Sequence, residues 1–218
     1  GKLTMTISTA AVDSMFTAAT LEDADFLWLA PTGTHFIGKV PAASNFTAGG
    51  VGTYRVYCTN WSAVTEFEAD SDNMTAVDVA VATALTNLDL DGNLFTSPLT
   101  LTDLTALVSL HLSGSHQLTS PPVLTGLTAL VNLDLSSNLF TSPPVLTGLM
   151  VLASLHLTGN QLVSAGVDAV LVALAAGSVN RGNVALEQTP AAIPSATGLA
   201  AKATLEGAPR LWTVTVDE

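Results

Sequence analysis

Carboxylate and imidazole side chains recur at near-constant intervals along this chain. Glu68, Asp89, His111, Asp134 and His156 are separated by 21, 22, 23 and 22 residues. Glu66 and Asp91 stand two residues from the first two of them, and Asp70 lies close by. Such groups can pair with basic side chains, exchange protons or ligate metal ions. Any of these chemistries requires that the spacing bring distant residues side by side, so the elements that carry them come next.

The spacing is that of a repeat. Residues 85–93 read LTNLDLDGN, 107–115 LVSLHLSGS, 130–138 LVNLDLSSN and 152–160 LASLHLTGN, with starts 22, 23 and 22 residues apart. A degenerate copy, VTEFEADSDNM, starts at Val64, 21 residues before Leu85. The L-x-L segment alternates with period two, so it predicts a short strand with both leucines on one face. One repeat cannot bury that face, but stacked repeats form a parallel ladder over a shared leucine core. Asn93, Asn138 and Asn160 are expected to turn inward and bond the backbone of the turn, with Ser115 replacing Asn in the longer repeat. Pro98, Pro121, Pro122, Pro143 and Pro144 follow, where an extended outer segment is expected in place of helix.

These segments resemble the leucine-rich-repeat pattern L-x-x-L-x-L-x-x-N-x-L. The short period, with LT-x-L before each new strand, is similar to bacterial surface proteins of the internalin type. The resemblance covers roughly residues 63–218. It implies an α/β leucine-rich-repeat solenoid with a curved parallel sheet on the concave side, a mostly irregular convex side and helices in the C-terminal repeats. It also implies a secreted or cell-surface binding or adhesion module that recognises a macromolecule through the concave face. A fold of this kind hosts many ligands, so the pattern names none.

In the expected register, the residue between the second and third leucines faces outward. That column reads Glu68, Asp89, His111, Asp134, His156 and then Ala185, on strands about 4.8 Å apart. With Glu66 and Asp91 it forms the candidate ligand-binding stripe, and its N-terminal half is strongly acidic. Three readings stay open. The stripe is a solvated face with acid and imidazole side by side as modest stabilisers, a surface for a protein (or glycan) ligand with a basic patch, or a metal site formed by Asp89, His111 and Asp134. A slip of one residue would disperse the column. Small polar residues line both sides: Asn87, Ser109, Asn132 and Ser154 on one, Asp91, Ser113, Ser136 and Thr158 on the other. The longer repeat is expected to bulge at His116 and Gln117.

Composition narrows the partner. Net charge is −12, with six Lys and Arg against eighteen Asp and Glu. Nucleic acid and anionic membrane surfaces are excluded by that sign, because both need clustered cations. Apolar residues make up 48% and charged ones 11%, the reverse of a disordered chain. No apolar run is long enough for membrane insertion. The first residues lack the features of an export signal, and any such signal is expected to have been removed. The single cysteine, Cys58, excludes an intrachain disulfide and is expected in the core. Motifs for hydrolytic zinc, redox or serine chemistry are absent, so no catalytic activity and no cofactor are expected.

Residues 1–62 carry no repeat. Strands are expected at Leu3–Ser8, Asp25–Ala30, Thr34–Val40 and Thr53–Thr59, as an antiparallel β-rich cap sharing a core with the first repeat. The stretch FTAGGVGTYRVY, with its glycine loop at Gly49–Gly52, is similar to the last hairpin of immunoglobulin-like domains of the PKD type. At the other end, Val167–Ala176 and Ser195–Leu205 are expected as helices, with strands at Asn183–Glu187 and Trp212–Val216. The alternative to a binding module is a structural subunit of a surface filament, array or phage-like fibre, self-associating through its sheet edges.

Overall fold

Each L-x-L segment contributes one three-residue strand, and these strands pair in parallel. The computed structural model describes residues 2–7, 15–17, 26–29, 35–37, 52–115 and 117–218. The N-terminal strands are β1 (Lys2–Ile7), β2 (Met15–Thr17), β3 (Phe26–Leu29), β4 (His35–Ile37) and β5 (Gly52–Cys58). The repeats supply β6 (Glu66–Glu68), β7 (Met74–Asp78), β8 (Asn87–Asp89), β9 (Ser109–His111), β10 (Asn132–Asp134) and β11 (Ser154–His156). Helix α1 (Ser164–Ala176), β12 (Asn183–Ala185), α2 (Ala196–Glu206) and β13 (Thr213–Thr215) complete the chain.

Seven strands form an open parallel sheet in the order β13-β12-β11-β10-β9-β8-β6, and β2 adds antiparallel to β6 at its end. The central residue of each parallel strand points inward. Phe67, Leu88, Leu110, Leu133, Leu155, Val184 and Val214 form one buried row, and Val64, Leu85, Leu107, Leu130 and Leu152 form another. Each fully buried leucine contributes about 1.5–3 kcal/mol. The outer segments carrying the prolines hold no helix; among the described residues both α-helices follow Leu162, and one short 3-10 helix lies earlier, at Trp61–Ala63.

Side-chain amides close the inner turns. Asn93 Nδ2 donates to Ala69 O and Leu90 O, and its Oδ1 accepts from Met74 N. Asn160 does the same with Leu135 O, Leu157 O and Phe140 N. Gln188, which the repeat pattern does not single out, takes the role one rung later: Nε2 donates to Leu157 O and Leu186 O, and Oε1 accepts from Leu162 N. The rung with the extra residue breaks the series. Ser115 is too short to span the turn, and its buried Oγ has no hydrogen-bond partner among the described residues; neither has Asn138 Oδ1. The turn itself bends through left-handed backbone at one recurring position: Ser71, Gly92, Gly114, Ser137 and Gly159 all have φ between 54° and 73°.

The five-stranded antiparallel sheet runs β4-β3-β5-β1-β7. Two pairings cross the division at residue 62. β7 joins β1 from the repeat side, and β2 crosses to β6 from the N-terminal side. The core is continuous across it, with Phe26 and Val56 in one cluster with Trp61, Val64 and Phe67. Phe26 and Trp61 meet edge to face at 6.3 Å. Cys58 packs against this core but is half-buried, a correction to the buried core position expected for it, because it is the last residue of β5, where the sheet ends. Ser8, Asp25, Ala30, Thr34, the stretch 38–40 and Gly49, Gly50 and Val51 lie outside the described residues, as do His116 and the side chain of Trp28.

At the C-terminal end the two helices cover the core. α1 starts three residues before the expected Val167, with extended Val163 ahead of it and no side-chain cap. Asp168 reaches the start of α2, where its carboxylate accepts from Ser195 N at 3.0 Å and from Ser195 Oγ. Trp212 is buried, donating from Nε1 to Val179 O at 3.0 Å. No helix among the described residues is long and apolar enough to cross a membrane.

Candidate functional site

The strand register fixes which outward side chains are neighbours. Glu68 pairs with Asp89, Asp89 with His111, His111 with Asp134, Asp134 with His156 and His156 with Ala185. The expected column is therefore contiguous. Glu66 leads the adjoining column, Asn87, Ser109, Asn132, Ser154 and Asn183. Asp91 lies past the end of β8, where the ladder continues through Ser71 N to Asp91 O at 2.7 Å. All seven candidate residues (Glu66, Glu68, Asp89, Asp91, His111, Asp134 and His156) are half-buried on one face.

The side chains do not pair acid to imidazole between rungs. His111 Nε2 lies 2.9 Å from Ser109 Oγ on its own strand, and His156 Nε2 lies 3.4 Å from Asn183 Nδ2. The carboxylates turn to backbone amides. Asp89 Oδ1 accepts from Asp91 N at 3.1 Å, Asp91 Oδ1 from Ser113 N at 2.5 Å, and Asp134 Oδ1 from Ser136 N at 2.9 Å and Ser136 Oγ at 2.7 Å. The reading of the column as stabilising acid–imidazole pairs is corrected accordingly: among the described residues the one ion pair is Lys202–Glu206, on the far helix. Backbone amides compete successfully because Asp89 and Asp134 each reach the N–H two residues on without leaving their own rung, while Asp91 reaches the amide of Ser113 on the next rung.

A set of three donors does converge. Ligating atoms of Asp89, Asp91 and His111 all lie within 4.8 Å of one another. The sequence grouping of Asp89, His111 and Asp134 kept to one column; the structure draws in Asp91 across two columns, while Asp134 is engaged with Ser136. Burial raises the Asp91 carboxyl above the ordinary carboxylate range, opposed by the Ser113 amide and reinforced by the charge of Asp89 and then of Asp134. Beside this set, His111, Asp134, His156, Asn132 and Ser154 line a shallow depression of about 230 Å³.

The Ser109–His111 contact was not anticipated, although S-L-H puts both side chains on one strand face. It has the geometry of a nucleophile–base pair, but Ser109 N is committed to Thr86 O, and no carboxylate bonds the imidazole among the described residues. Its evident effect is to orient the ring. No family model matches this chain, and no curated protein matches it.

Proposed function

We propose that the chain is a leucine-rich-repeat solenoid of the short bacterial surface type, acting outside the cell as a binding or adhesion module. Its concave face, the outward side of the parallel sheet, takes a protein (or glycan) ligand. The observation that carries this reading is an in-register row of carboxylates and imidazoles with no cationic side chain among them. The sign suits a partner with a basic patch, and the small polar residues alongside leave the face flat and accessible. Catalysis has no support in the arrangement.

Site-specific photo-crosslinking tests this. A crosslinker at Asn132 or Ser154 should capture a partner that one at exposed Val145, on the outer side, does not. The triple variant D89N/H111Q/D134N should lose that capture while keeping its circular dichroism spectrum. Capture unchanged in the folded variant removes the assignment.

A second reading, a self-assembling surface subunit, is favoured by one observation: β13 pairs with β12 alone among the described strands, leaving an edge for another copy. Size-exclusion chromatography and negative-stain imaging separate the two. Ordered polymers support assembly, and a monodisperse monomer removes it.

A further inference from the structure

We propose that Asp89, Asp91 and His111 form a binding site for a first-row divalent cation, with zinc the best match. The site goes beyond partner recognition, and its ion binding is measured on the chain alone. Two carboxylates and an imidazole supply hard and borderline donors in the mixture that zinc accepts. Calcium and magnesium take oxygen ligands and gain nothing from the imidazole.

The geometry needs only local adjustment. The three donor atoms lie at most 4.8 Å apart. A tetrahedral ion with ligands at about 2.0 Å holds its donors roughly 3.3 Å apart, so the side chains close by an ångström or so through rotation. Each carboxylate is anchored through Oδ1, Asp89 by Asp91 N and Asp91 by Ser113 N, which leaves Oδ2 of each to turn toward an ion. Ser109 holds the ring of His111 through Nε2, the kind of outer support that fixes imidazole orientation at metal sites.

The charge balance points the same way. Among the described residues, no Lys or Arg forms an ion pair with Asp89 or Asp91. A cation between the two carboxylates supplies the counter-charge that no described Lys or Arg provides. Three protein ligands leave a coordination position open to solvent, on the same face where the partner is placed.

Calorimetric titration of the untagged full chain with zinc chloride at neutral pH tests the site, alongside the imidazole NMR signals of the four histidines. One zinc per chain is expected, with the His111 signal moving and the others unmoved. D91N keeps the Ser113 hydrogen bond through its amide oxygen, and it and H111A should each weaken zinc binding by more than about tenfold. S109A should weaken it about tenfold, by releasing the ring. D134N should change it by less than about threefold, as a charge outside the ligand set. No zinc uptake, calcium binding as tightly as zinc, or affinity unchanged in folded D91N and H111A would each overturn the proposal.

Discussion

Replacing Asn160 with alanine removes an amide that is fully buried and fully used. Its Nδ2 donates at 2.9 Å to both Leu135 O and Leu157 O, and its Oδ1 accepts from Phe140 N at 3.1 Å. The two carbonyls have second donors, Asn138 Nδ2 on Leu135 O and Gln188 Nε2 on Leu157 O. Phe140 N has no such reserve among the described residues. An orphaned buried N–H costs about 1–3 kcal/mol and each lost bond to a still-partnered carbonyl about 0.5–1 kcal/mol, so N160A should cost about 2–5 kcal/mol. Asn138 is the internal control. Among the described residues its Oδ1 already lacks a partner, so N138A strands no N–H and removes a buried unsatisfied oxygen, although it takes from Leu112 O its one donor among the described residues. Its cost should be about 1–3 kcal/mol, the smaller of the two because the lost oxygen offsets part of it. Urea denaturation at unchanged m-value reads the difference, and amide exchange at Phe140 locates it, since that N–H alone should lose protection in N160A. If N138A costs as much as N160A, or Phe140 stays protected in N160A, the ladder does not work as the hydrogen bonds imply.

S115A deletes a buried hydroxyl with no hydrogen-bond partner among the described residues, so urea denaturation should show it neutral or stabilising by up to about 1 kcal/mol, against the loss in N160A. Gly182 lies under Trp212, where an added methyl would stand 2.5 Å from the indole; G182A should cost about 1–3 kcal/mol through displacement of that ring, seen as a lower Tm and a changed tryptophan emission.

The strand register was legible because a period-two leucine pattern allows only one face inward. Every slip would expose Leu88, Leu110, Leu133 and Leu155 together. The inward asparagines were legible for a related reason: a polar side chain recurring next to a leucine core must satisfy backbone groups there. Gln188 was not legible, because its longer arm reaches the same atoms from a repeat whose sequence has drifted. Asp217 was missed as well; it accepts from Gln188 N and Ala192 N across a long sequence separation. β7 was unreadable as a member of the N-terminal sheet, since its partner β1 lies far off in sequence and its burial does not alternate with period two, Thr75 and Ala76 both being exposed. At the candidate site, position could be read and orientation could not. Register places Asp89 beside His111, but whether a carboxylate turns to a neighbouring ring or to a backbone amide is decided by local turn geometry. Asp91 shows the consequence: it was counted as acidity at the end of the stripe and emerges as one of the three converging donors.

The parallel ladder does not require the residues that occupy its outward column. At β12 and β13 that position is Ala185 and Thr215, and both strands hold the same register as the rest. Polarity alone would be met by serine or asparagine, as it is in the column through Ser109 and Ser154. Charge at these positions works against the isolated fold: Glu68 and Asp89 stand directly opposite each other on neighbouring strands, where like charges destabilise, and Asp91 adds a third carboxylate that burial already disfavours. Folding therefore explains the leucines and the inward amides but leaves Glu68, Asp89, Asp91 and His111 unexplained. Positive charge from outside the chain would relieve their crowding, and both the metal ion proposed between Asp89, Asp91 and His111 and the proposed partner with a basic patch would bring it.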